Sequence, residues 1–81
     1  MPCVQHPLAQ IKLGENLRAA RKTRGLTQER LALETGLHRA YVGAVERGEI
    51  NASLGTIVQL ALHLNVTAAS LVDGTEAAAR S

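Results

Sequence analysis

The sequence has no tryptophan, no phenylalanine and one tyrosine, Tyr41, in 81 residues. A core assembled without aromatic rings has to be aliphatic, and leucine, isoleucine, valine and alanine are the material available. A single domain of this size buries only about 60% of the surface its unfolded chain exposes, so further burial between subunits is expected. The one cysteine, Cys3, excludes an intrachain disulfide and fits a reducing compartment. No apolar run approaches the ~18 residues of a membrane span. The start, Met1-Pro2, lacks the basic and then apolar segments of a signal peptide. The protein is therefore expected to be cytoplasmic and to have no membrane partner. His6, His38 and His63 stand at no metal-ligand spacing with cysteine or carboxylates, so no metal is expected. No phosphate-binding loop, nucleophile elbow or identifiable carboxylate pair is present, and neither enzymatic activity, nor a cofactor, nor a small-molecule ligand is expected.

Net charge is only +2, but it is unevenly placed. Eight of the nine basic residues (Lys12, Arg18, Arg21, Lys22, Arg24, Arg30, Arg39 and Arg47) fall between positions 12 and 47 with four acids, a balance of +4. The stretch from 48 to 81 holds Arg80 against Glu49, Asp73 and Glu76, a balance of −2. Such asymmetry suits one face for a polyanion and another for something else, although an excess of this size decides little alone.

Strand signals are absent, and the punctuation is that of helices. Gly25, Gly36, Gly48 and Gly74 follow stretches with helical apolar spacing, where a left-handed residue closes a helix. Thr27, Ser53 and Thr67 can accept from first-turn N–H groups. The pattern predicts five helices, over 8–24, 28–35, 38–47, 54–64 and 68–73, with Gly14 weakening the first turns of the first. Residues 1–10 and 75–81 lack a clear apolar stripe and are expected to be flexible, flanking one domain over 11–74.

The second and third of these helices are separated only by Gly36, Leu37 and His38, a connection short enough to force the sharp crossing of a helix-turn-helix, with Leu37 plugging the crook. On the third helix Val42 and Val45 point inward, while His38, Arg39, Ala40, Gly43 and Ala44 are expected outward. One strong donor, Arg39, thus stands among residues too small to obstruct a groove. A major groove about 12 Å wide admits such a helix, and an arginine there can contact guanine O6 and N7 together.

The stretch from Leu17 to Val66 carries G-L-T-Q-E-x-L-A, then Y-V-x-x-V-E-R-G-E, then S-L-x-T-I-x-x-L-A-x-x-L-x-V. In order and spacing it resembles the Cro/C1-type helix-turn-helix (Xre) family, and H-R-A-Y-V-G-A-V-E-R-G-E followed by N-x-S-L is similar to the controller proteins of restriction–modification systems. The resemblance implies an all-α, five-helix, lambda-repressor-like DNA-binding domain. It implies that Gln28 and Thr27 hold a DNA phosphate at the start of the second helix, where N–H groups already favour an anion. It implies further that His38 and Arg39 enter the groove, that Tyr41 touches a phosphate or base edge, and that Arg47 contacts backbone phosphate. Tyr41 can equally pack over the edge of the core. Arg21 and Glu46 match a structural ion pair. Ala40 and Gly43 stand where controllers frequently carry hydroxyls, so part of the specificity is expected from DNA shape and half-site spacing.

The apolar stripe of the last two helices exceeds what the others need to cover. Part of it (Leu64, Val66, Leu71 and Val72) is expected at a homodimer interface, with core packing as the alternative. The partners expected are thus double-stranded DNA, a second copy of the chain and RNA polymerase. A competing reading from another class is a protein-binding module, such as an antitoxin, for which the stretch after Gly74 is short.

Overall fold

The computed structural model describes residues 4–81, and Cys3 lies outside them. Six helices follow one another with no strand among the described residues: α1 (Pro7–Thr23), α2 (Gln28–Thr35), α3 (Arg39–Glu46), α4 (Leu54–Leu64), α5 (Ala68–Val72) and α6 (Thr75–Ala79). The first five are the expected helices, with no boundary moved by more than one residue.

Local chemistry accounts for the breaks. Proline opens α1, where its missing N–H costs no hydrogen bond. The hydroxyls of Thr27, Ser53 and Thr67 accept from the backbone N–H of Arg30, Thr56 and Ser70, capping α2, α4 and α5. Gly36 closes α2 at φ 76°, a value a side chain would resist, and this turns the chain straight into α3.

The core is aliphatic. Leu17, Leu31, Val42, Val45, Leu64 and Leu71 are its fully buried side chains, joined by Leu13, Ala32, Ile57, Leu60 and Ala61. Leu37 and Tyr41 pack against its margin, Leu37 in the crook between α2 and α3. Burial of these side chains supplies the main driving force, at roughly 25 cal/mol for each Å² of apolar surface removed from water.

Three expectations change. Leu64 and Leu71, assigned to a subunit interface, are each 1% exposed within the single chain and belong to its core. Helix α4 is apolar almost all round, so periodicity alone does not reveal its inner face. The inner row is Ile57, Leu60, Ala61 and Leu64, and the row left in solvent is Leu54, Val58 and Leu62. Val66 is partly buried against the core, and Val72 stays half exposed.

In the segments expected to be flexible, the described residues 4–10 and 75–81 make contacts with the rest of the chain as well. Residues 7–10 are already helical, and Gln10 is buried, its amide donating to the Gly48 carbonyl at 3.3 Å. The Asn51 amide reaches the Val4 carbonyl at 3.1 Å. After Gly74 the chain forms α6, which lies along α1. The Asn16 amide bonds the carbonyls of Leu71 and Asp73 at 2.9 and 2.8 Å, tying this end to α1. These ties are side-chain bonds between positions 38 to 57 apart in sequence, which no local pattern displays.

Gly14 is a contact rather than a weakness. A Cβ there would fall on the carbonyl oxygens of Val45 and Glu46, 2.5 Å from the first. Only glycine lets α1 approach the last turn of α3 so closely. Alanine improves helix propensity by about 1 kcal/mol. The clash with backbone outweighs that, so Gly14→Ala is expected to destabilise the fold by about 1–3 kcal/mol net. Urea unfolding checks this, and a variant as stable as the parent would contradict the close approach.

Candidate nucleic-acid interface

The close crossing of α1 and α3 carries a buried charge pair. Arg21 donates from Nε to Glu46 Oε2 at 2.7 Å and from Nη2 to Oε1 at 3.1 Å. Its Nη1 donates to the Leu26 carbonyl at 2.8 Å. The two side chains are 10% and 3% exposed, so this is the structural pair expected from the sequence. A third partner joins it: the Gln28 amide donates to Glu46 Oε1 at 3.0 Å. One carboxylate thereby fixes the end of α1, the start of α2 and the end of α3 relative to one another.

Gln28 begins α2, and its placement creates the site. The Thr27 hydroxyl is committed to the N–H of Arg30, and the Thr27 carbonyl accepts from Leu31. The N–H groups of Gln28 and Glu29 are left directed out of the helix end. Helix α3 begins at Arg39, and the residue before it, His38, makes no side-chain cap, leaving first-turn N–H groups open. Between these two helix starts, Gln28, Arg39, Ala40, Gly43 and Arg47 line a shallow concavity of about 320 Å³. His38, Arg39 and Ala40 are exposed, as expected.

Other residues are placed differently. Gly43 is buried rather than outward. The Arg47 guanidinium folds over it, with Nη1 3.0 Å from where a Cβ would stand and Gln28 Oε1 3.5 Å from the same point. Ala44 is half buried. Tyr41 packs against the core margin, and its hydroxyl makes no hydrogen bond among the described residues. Arg24, one of the basic residues counted between positions 12 and 47, donates to the carbonyl of His63 at 3.0 Å.

One acidic residue missed by the sequence reading also belongs here. Glu49 accepts from Arg47 Nε at 2.8 Å and from Nη2 at 3.2 Å, with both side chains more than half exposed. The hydrogen bond from Arg47, assisted by its positive charge, holds the Glu49 carboxyl below its ordinary range. The same bond and charge raise Arg47. The two-residue spacing across Gly48 is the only sequence signal for this pair.

A concave surface with two guanidiniums, an amide, the capped start of α2 with two open N–H groups and the uncapped start of α3 is suited to a polyanion whose edges offer acceptors. The helix-turn-helix family profile matches residues 17–71. The chain belongs to this family, of Cro/C1 (Xre) type. Within it, the chain is 47% identical over 60 residues to the control protein C.SmaI of Serratia marcescens, covering 74% of this chain and 71% of that one. It is 38% identical over 63 residues to the control protein C.BamHI of Bacillus amyloliquefaciens, covering 76% and 78%. The crystal structure of the restriction–modification controller protein C.AhdI from Aeromonas hydrophila superposes with a TM-score of 0.74 at 47% identity, over 76% of this chain and 94% of that one.

Because Arg21 and Glu46 are buried together, removing one strands the other. Glu46→Ala is expected to cost about 3–5 kcal/mol of stability. Far-UV circular dichroism on heating checks this, and a loss below about 1 kcal/mol would show the pair to be dispensable.

Proposed function

We propose that the protein is a sequence-specific regulator of transcription that binds duplex DNA as a homodimer, in the manner of restriction–modification controllers. The observation that carries this reading is the concavity between the starts of α2 and α3, where Arg39 is exposed beside small residues and the half-buried Gln28 forms part of the lining. Arg39 reads a base in the major groove. Gln28, held by Glu46, presents its remaining N–H with Thr27 and the free α2 backbone N–H groups to a phosphate. His38, Ala40, Gly43 and Ala44 keep the groove side of α3 low, Tyr41 reaches the phosphate flank from the core margin, and Arg47 meets backbone phosphate. Neither catalysis nor a cofactor has a part in this reading, and the protein acts in the cytoplasm. No single helix among the described residues is long and apolar enough to cross a membrane.

The homodimer reading rests on the outer row of α4. Leu54, Val58 and Leu62 are 73%, 40% and 70% exposed and lie one above another at four-residue spacing. With Val66 and Val72 this row replaces the interface expected from sequence, since Leu64 and Leu71 are spent inside. Two-fold pairing would place the recognition helices about 34–36 Å apart, facing successive major grooves. RNA polymerase remains a further partner in this proposal, beside DNA and a second copy of the chain. The antitoxin reading is less well supported, because the segment after Gly74 folds onto α1 as α6.

Two substitutions separate reading from anchoring. Arg39→Ala is expected to cost about 1–3 kcal/mol on the preferred duplex and to relax preference at one base pair, whereas Gln28→Ala weakens all duplexes about equally. Fluorescence anisotropy on matched and mismatched duplexes measures both, and equal losses for Arg39→Ala on every duplex would refute base readout. For the dimer, light scattering at tens of micromolar is expected to give twice the chain mass for the parent. Leu62→Glu, at an exposed position, is expected to give a folded monomer. A parent that scatters as a monomer sinks the dimer proposal.

A further inference from the structure

Two arginines line the proposed DNA surface, and their circumstances differ. Arg39 has no carboxylate partner among the described residues. Arg47 is engaged through its Nε/Nη2 edge by both oxygens of Glu49. That edge is one of the two with which a guanidinium grips a phosphate bidentately. The remaining nitrogen, Nη1, is folded down over Gly43, so the group lies flat against α3 rather than reaching outward. Glu46, the other acid close by, is consumed by Arg21 and Gln28 and is 3% exposed in its side chain. Glu49 is therefore the carboxylate that competes for Arg47.

We propose that Glu49 is an internal phosphate mimic, which occupies Arg47 in the free protein and must be displaced before Arg47 can hold the DNA backbone. The inference rests on the reading of Arg47 as a phosphate contact. Its consequence is a lowered affinity and a flattened salt response. Arg47 and Glu49 together carry no net charge, so docking the pair against a phosphate releases little counterion. With Glu49 neutral, each protomer would neutralise one more phosphate, adding about 0.9 to the slope of log affinity against log salt, or about 1.8 for a dimer. The pair is exposed and correspondingly weak, so it moderates binding without blocking it. The carboxyl, held below its ordinary range, stays ionised at neutral pH, so the competitor is always present.

The test is a double-mutant cycle on the full chain, using Glu49→Gln, Arg47→Ala and both together. Each is titrated by anisotropy against a labelled duplex of random sequence between about 50 and 200 mM salt. Thermal unfolding verifies that all three variants are folded. Glu49→Gln is expected to tighten binding about three- to tenfold at the lowest salt, and to steepen the slope. In the Arg47→Ala background the same change is expected to have at most a marginal effect. Equal tightening in both backgrounds would show that Glu49 acts only through net charge, and overturns the proposal. Weaker binding by Glu49→Gln overturns it too, because Glu49 would then be orienting Arg47 for DNA. If Arg47→Ala alone changes neither affinity nor slope, the phosphate reading of Arg47 is what has failed, and the inference falls with it.

Discussion

Arg21 and Glu46 meet where α1 crosses the end of α3, and the geometry of the whole DNA-facing surface depends on how they satisfy each other. A charge withdrawn from water costs several kcal/mol unless its bonds are remade nearby. Here they are: three donors of Arg21 and both oxygens of Glu46 find partners. A further acceptor site of that carboxylate, on Oε1, goes to Gln28. The Thr27 cap sets where α2 begins, and the bond from Gln28 to Glu46 ties that start to the buried pair. The start of α2, the concave face of α3 and the end of α1 are one rigid unit. The absence of a side chain at Gly14 lets α1 come close enough for the pair to form.

Organised in this way, the small side chains of α3 acquire a second meaning. Gly43 lies under a folded guanidinium as well as beside the groove. The bare face is low enough for DNA to approach, and the arginine that lies across it is restrained by an acid of the same turn. Few groups stand ready for direct base contact, which leaves a substantial share of selectivity to the shape of the duplex and to the distance between two recognition helices. In the proposed homodimer that distance is set far from the site, by the apolar row that pairs two protomers, which would make the interface part of the specificity apparatus.

The helices were legible in the sequence because their caps and apolar spacing are local. Thr27, Ser53 and Thr67 cap where they were expected to, and the short Gly36–His38 turn places α3 across α2. The reading failed where the answer depends on partners distant in sequence. Gln10, Asn16 and Asn51 anchor the described residues near both ends through side-chain amide bonds, and nothing in their neighbourhoods announces it. Leu64 was misplaced because a helix apolar almost all round has no visible inner face, and Leu71 because the five residues of α5 are too few to show one. Arg21 and Glu46 were legible by resemblance, whereas the attachment of Gln28 to them was not. Glu49 escaped because an exposed acid near a basic motif looks like any solvated charge.

The central claim is that two copies of the α2–α3 surface read a duplex together. Selection of bound duplexes from a random library tests it most directly. The account predicts enrichment of a two-fold related sequence whose half-sites stand one helical turn apart, about 10–10.5 base pairs centre to centre, or a multiple of that. Recovery of no preferred sequence, or of a single half-site with no symmetric mate, would contradict it.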